Sequence, residues 1–143
     1  MGQGRAATGG AGQAHRFACR VYYEDTDLAG IVYYANYLKF IERARSEWVR
    51  TLGVDQRNMK QDQGLVFAVR RVEADYLSPA RFDDPLEVTT RPVAAGPARL
   101  VLEQDVWRGE ARLFAARVTL VCLDAAGRPR RFPAPLAGLI SEM

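Results

Sequence analysis

Residues 22–37 read Tyr-Tyr-Glu-Asp-Thr-Asp-Leu-Ala-Gly-Ile-Val-Tyr-Tyr-Ala-Asn-Tyr, two acids followed by a glycine and then an aromatic run that opens a helix. Carboxylates such as Asp25 and Asp27 can attack a carbonyl carbon or take a proton from water. The first N–H groups of a helix have no partner within it and lie at the positive end of its dipole, so an acyl oxyanion could be held there. Gly30 can take a backbone conformation that bulkier residues resist, and it lets the peptide groups of Val32, Tyr33 and Tyr34 approach a ligand closely. On local sequence alone Asp25 and Asp27 are equally eligible. Both could also do no more than end a strand and cap a turn.

The flanking sequence supplies elements that would hold such a turn. Over 17–23, Phe17, Cys19, Val21 and Tyr23 alternate with Ala18, Arg20 and Tyr22, the period of a half-buried strand that ends at the acids. Over 33–52, Tyr37, Ile41, Ala44, Trp48 and Leu52 recur at helical spacing, and Gly53 stands where a C-terminal cap belongs. That helix runs for about five turns. After a polar loop containing 58–64, strands are expected over 65–77, 85–94, 99–108 and 111–124, with breaks at Ser78-Pro79, Gly96-Pro97 and Arg108-Gly109 and a closing segment at 127–135. The order predicts an α+β fold in which an antiparallel sheet offers one face to one helix. The last strand reads as apolar on both sides, with Phe114, Val118, Leu120 and Cys122 on one and Leu113, Ala115, Val121 and Leu123 on the other. Burial of that second face against another subunit, and so a homo-oligomer, is the expectation.

Composition narrows the chemistry. A chain of 143 residues with 48% apolar content supports one domain with a real core. Residues 1–14, rich in Gly, Ala and Gln, bury too little to offset their ordering entropy and read as a disordered tail. His15 is the single histidine and is expected to be solvated at the edge of that tail, so a Ser-His-Asp triad, a Cys-His pair, a His-rich zinc site and a His-dependent dehydratase are all disfavoured. Asp25-Thr-Asp27 as a Mg²⁺ site for a nucleotide sugar is disfavoured too, because such enzymes need a nucleotide-binding domain larger than this chain. Cys19 and Cys122, far apart and in strands, read as small core residues rather than a disulfide or metal ligands. The net charge of +3 is scattered, which argues against nucleic acid and fits mild attraction to a coenzyme phosphate or an acidic carrier protein. No apolar stretch approaches the roughly 20 residues of a membrane span, and the N-terminus lacks a secretory apolar core, so a cytoplasmic location is expected.

Residues 22–37, followed by Phe40-Ile-Glu-Arg-Ala-Arg-Ser-Glu-Trp48, resemble the 4-hydroxybenzoyl-CoA thioesterase family of hotdog-fold enzymes, most closely its Tol-Pal-associated acyl-CoA thioesterase branch. The resemblance implies a single hotdog domain over 15–143, a long central helix wrapped by a curved antiparallel sheet of about five strands. It implies hydrolysis of a fatty or aromatic acyl-CoA to free acid and CoA, with no metal or redox cofactor, in dimers or tetramers that build the site at a subunit interface. Carried over by position, the catalytic aspartate falls on Asp27, as nucleophile or general base. The backbone N–H that polarises the thioester carbonyl falls on Tyr34, where many members of the Tol-Pal branch have histidine. An imidazole role is thereby lost, while a backbone role survives. The hairpin that carries several basic residues in some members reads Ala95-Gly-Pro-Ala-Arg99 here, leaving Arg99 for the coenzyme phosphates, with Arg70 and Arg71 as further candidates. The rival to an enzyme is a non-catalytic hotdog adaptor that binds acyl carrier protein or an envelope or lipid-synthesis partner.

Overall fold

Apolar alternation becomes six strands in the computed structural model, which describes residues 14–141. They are β1 (His15–Arg20), β2 (Val66–Tyr76), β3 (Pro85–Gly96), β4 (Arg99–Arg108), β5 (Ala111–Leu123) and the two-residue β6 (Pro129–Arg130). The sheet runs β1-β3-β4-β5-β2, with β6 on β5, and every pair is antiparallel. The five long strands meet the expected number, and β6 is an addition. Of the expected tail 1–14, all but Ala14 lies outside the described residues.

Helix α1 (Asn36–Thr51) crosses this sheet, packed on β1, β3 and β4. Its buried residues Tyr37, Phe40, Ile41, Ala44, Trp48 and Val49 recur every three or four positions and make one stripe. They meet Val88, Leu100, Leu102, Val106, Phe114 and Val118, all fully buried or nearly so, on the concave face of the sheet. The helix begins three residues later than the aromatic pattern suggests. Tyr33 and Tyr34 precede it, because Asn36 N–H bonds back to the Tyr33 carbonyl at 2.8 Å as a turn.

Two short helices are additions to the expected elements, the first of them in the stretch that reads as a polar loop. In α2 (Gln56–Gln63) only Met59 is buried, so no apolar period marks it. It is made by its ends: Asp55 Oδ1 accepts the N–H groups of Arg57 and Asn58, and Gly64 closes it at φ 67°. The last helix, α3 (Ala134–Ser141), follows the buried Phe132 and seats Leu136 in the core.

The outward face of the sheet differs from the expectation built on β5. Leu113 is buried within the chain, and between Ala115 and Val121 stand Arg117 and Thr119. Arg91, Glu103, Arg117 and Glu73 lie in register across β3, β4, β5 and β2. Glu103 takes Arg91 at 2.6 Å and Arg117 at 2.9 Å. A row of alternating charge therefore crosses this face. Exposed apolar side chains instead follow β2, the edge strand opposite β1: Val69, Val72 and Tyr76, then Leu77.

Among the described residues the buried side-chain polar atoms are bonded, His15 Nδ1 excepted. Tyr37, 3% exposed, stacks on Phe114 at 4.8 Å, and its hydroxyl accepts the N–H of fully buried Ala80 at 3.0 Å. Burial, above all, pushes its phenol pKa up. Tyr37→Phe keeps the ring but orphans the Ala80 donor. Urea denaturation is expected to show a loss of about 1–3 kcal/mol with an unchanged m value.

Candidate active site

After β1 the chain makes a 3-10 turn, Tyr23–Asp25, and then a tight hairpin whose arms are bridged between Thr26 and Val32. Asp27 N–H donates to the Ile31 carbonyl at 2.9 Å and Gly30 N–H to the Asp27 carbonyl at 3.0 Å. Gly30, at φ 80°, allows the reversal. The connection between β2 and β3 clamps this hairpin: Val32 N–H reaches the Ala80 carbonyl at 2.8 Å, and Ile31 bridges Arg81. Asp84 anchors the clamp, accepting the Arg81 N–H at 2.8 Å and the Arg108 guanidinium at 2.9 Å. Although burial raises the Asp84 carboxyl, these two donors hold it below its ordinary value.

The hairpin separates the two acids that the sequence left equivalent. Asp25 is 9% exposed; its Oδ2 accepts the Tyr22 N–H at 2.8 Å, and its carbonyl accepts the Tyr33 N–H at 2.9 Å and Asn36 Nδ2 at 3.0 Å. Asp27 is exposed. Its Oδ1 accepts the Ala29 N–H at 2.9 Å, while Oδ2 has no hydrogen-bond partner among the described residues.

The backbone donors sort in the same way. The N–H groups of Gly30, Val32 and Tyr33 are engaged within the fold, with Asp27, Ala80 and Asp25 carbonyls respectively. Tyr34 N–H, the next along, donates to no group among the described residues. The Tyr34 carbonyl accepts the Tyr76 hydroxyl at 2.9 Å. Rings of Tyr33, Tyr34 and Tyr76 form a continuous wall, with centroids 4.9 Å and 6.2 Å apart, and each is substantially exposed. Desolvation of its hydroxyl, then the neighbouring Tyr34 phenol, pushes the Tyr76 pKa up and keeps it a donor.

The arginines expected to meet phosphates are not gathered here. Arg99 starts β4 at the Gly96 end of β3, whereas Asp27 follows the end of β1 that pairs with Pro85, and an extended strand of that length spans about 35 Å. Arg70 sits at a bulge in β2, and Arg71 pairs with Glu73 at 3.1 Å. Arg81, exposed and across a bridge from Ile31, lies beside the hairpin. Only its position after Ser78-Pro79 marks it in the sequence. Tyr76 and Asn36 were also passed over, since their bonds to Tyr34 and Asp25 join residues far apart in the chain.

Other reactive groups lie apart from the hairpin's chemistry. His15 is the first residue of β1, half-buried rather than solvated, at the end of that strand away from Asp27. Burial pushes the Cys19 thiol up to about 11 against the lowering effect of Arg43, and burial also raises Cys122. Neither is a ready thiolate. Among the described residues no three His, Cys, Asp or Glu side chains gather as metal ligands, and no helix is long and apolar enough to cross a membrane. A recess of about 480 Å³ lined by Glu73, Asp75, Glu103, Asp105, Arg112 and Arg117 opens on the outward face, not at Asp27.

The helix and most of the sheet belong to a known pattern. Residues 29–115 match the thioesterase superfamily. The chain is a member of that superfamily. An acyl-CoA thioesterase named YbgC from Haemophilus influenzae is 42% identical over 118 residues, 82% of this chain and 87% of the relative. An acyl-CoA thioester hydrolase of the same name from Escherichia coli O6:H1 is 39% identical over 120 residues, 82% of this chain and 89% of the relative. The crystal structure of a probable thioesterase from Bartonella henselae superposes with a TM-score of 0.80 at 38% identity, covering 84% of this chain and 99% of that one. The α+β sheet-and-helix arrangement is thus the hotdog fold of thioesterases.

Proposed function

We propose that this protein hydrolyses the thioester of a fatty or aromatic acyl-CoA to free acid and CoA, with Asp27 acting at the carbonyl and the Tyr34 N–H holding the oxyanion. One contrast carries the reading. The N–H groups of Asp27, Ala29, Gly30, Val32 and Tyr33 are all engaged inside the fold, whereas Asp27 Oδ2 and the Tyr34 N–H have no partner among the described residues. A carboxylate oxygen on the hairpin and an amide donor on the approach to α1, both without partners among the described residues, suit the carbon and the oxygen of one carbonyl. The names of the YbgC relatives support the substrate class.

Two routes use the same atom. As nucleophile, Oδ2 bonds to the carbonyl carbon, the C–S bond breaks, and water then opens the acyl anhydride. As general base, Asp27 takes a proton from water while its oxygen attacks, and the proton passes to the departing thiolate. The wall of Tyr33, Tyr34 and Tyr76 offers apolar surface to the acyl group. Arg81 is the first choice for the coenzyme phosphates, ahead of Arg99, Arg70 and Arg71, because of its place beside the hairpin. A second copy pairing along β2 would cover that strand's exposed Val69, Val72 and Tyr76. We assign the activity to the cytoplasm, where acyl-CoA would be met.

Release of CoA from acetyl-, hexanoyl-, palmitoyl- and benzoyl-CoA tests the reading. Turnover of at least one is expected. Purified protein inert toward all four, yet retaining acyl carrier protein, would mark the non-catalytic adaptor instead.

A further inference from the structure

We infer that Tyr76 is a positioning residue for this hydrolysis, fixing the direction of the Tyr34 N–H through its hydroxyl bond to the Tyr34 carbonyl. The inference rests on the reading that the Tyr34 N–H receives the oxyanion. A donor that stabilises developing charge does so most when it is already oriented before the charge appears. This N–H lies in one plane with the Tyr33 carbonyl, and the Tyr34 carbonyl marks the plane of the next peptide, so a pin on each side of the Tyr34 Cα fixes the torsions between them. The Tyr33 carbonyl is pinned locally, by Asn36 N–H at 2.8 Å. The Tyr34 carbonyl is not. In a regular helix it would accept from Leu38 N–H, but that donor bonds to the Ala35 carbonyl at 3.2 Å instead. Among the described residues the Tyr76 hydroxyl, at 2.9 Å, is its one partner.

The hydroxyl is itself held in place. The Tyr76 ring lies edge-on to Phe114 at 5.0 Å and to Tyr37 at 5.5 Å, so its position is set by aromatic packing at the margin of the core. Strand β2 thereby fixes a peptide on the approach to α1, across a sequence separation of 42 residues.

Tyr76→Phe keeps the ring contacts and removes only the pin. Measured on whichever of acetyl-, hexanoyl-, palmitoyl- or benzoyl-CoA the wild type hydrolyses fastest, well below both melting midpoints, kcat is expected to fall about tenfold. KM should stay within about twofold, since ground-state binding is untouched. The wild-type to variant ratio of kcat should be constant across pH 6–9, because the carboxylate is unaltered. Wild-type kcat in Y76F, or a loss carried by KM, overturns the inference. D27N in the same assay separates the two claims: a loss in D27N with none in Y76F sinks the role of Tyr76 alone, whereas full activity in D27N, or an inert wild type, sinks the reading beneath it.

Discussion

Asp27→Asn is expected to lower kcat about a thousandfold or more on any acyl-CoA that the wild type hydrolyses, with KM within about threefold. Asparagine has the shape of aspartate, and its Oδ1 can still accept the Ala29 N–H that holds the side chain at 2.9 Å. What it lacks is charge and basicity. A nucleophilic Oδ2 and a proton-accepting Oδ2 are lost together, so the prediction holds for either route. Since Asp27 is exposed and makes no ion pair among the described residues, the melting temperature should move by no more than about 1 °C. Loss of rate without loss of fold is the signature of a group that touches the reaction.

The largest stability effect is expected at Gln104, which is fully buried beneath α1. Its Nε2 donates to the Ile41 carbonyl and to Thr90 Oγ1, both at 2.9 Å, and its Oε1 accepts Arg45 Nη1 at 2.8 Å. Desolvation, above all, lowers the Arg45 pKa, although Glu42 pulls the other way, so this guanidinium depends on the partners it has. Gln104→Ala removes three bonds at once, leaves the fully buried Thr90 hydroxyl oxygen without the Nε2 donor, and opens a cavity between helix and sheet. A loss of about 3–5 kcal/mol is expected, or roughly 10 °C in Tm at fixed protein concentration. Gln104→Leu fills the space but not the bonds and should recover only part of it. A loss below about 1 kcal/mol in Q104A would show that water replaces the amide.

The long helix and all five long strands were legible, the helix from Tyr37 to Trp48 recurring every three or four residues and the strands from apolar alternation between turn residues. The turn at Asp27 was legible through its acids and Gly30. Helix α2 was not, since a helix made by Asp55 and Gly64 around one buried residue has no face to read. The outward face was misread for a related reason. On β5 the residues Leu113, Ala115, Val121 and Leu123 made it read as apolar, although Arg117 and Thr119 stand between them, and the register with Glu103 and Glu73 shows that Arg117 belongs to a charged row. At the site, types and spacing offered Asp25 and Asp27 alike, the family resemblance pointed to Asp27 and Tyr34, and the donors expected at Gly30, Val32 and Tyr33 pair with carbonyls that only the folded hairpin brings near. Tyr76 could not be read at all, because its bond to Tyr34 exists only once β2 and the helix start are adjacent.

Comparing D27N with D25N tests the role of Asp27 most directly. Asp25 is buried and its carboxylate caps the Tyr22 N–H, so Asp25→Asn should lower stability modestly and keep kcat within about tenfold of wild type. Steady-state CoA release by the wild type and both variants, on one substrate and at one protein concentration, should place D27N at least about a hundredfold below D25N. Equal rates in the two variants, or a D27N that turns over faster than D25N, would contradict Asp27 as the reacting group.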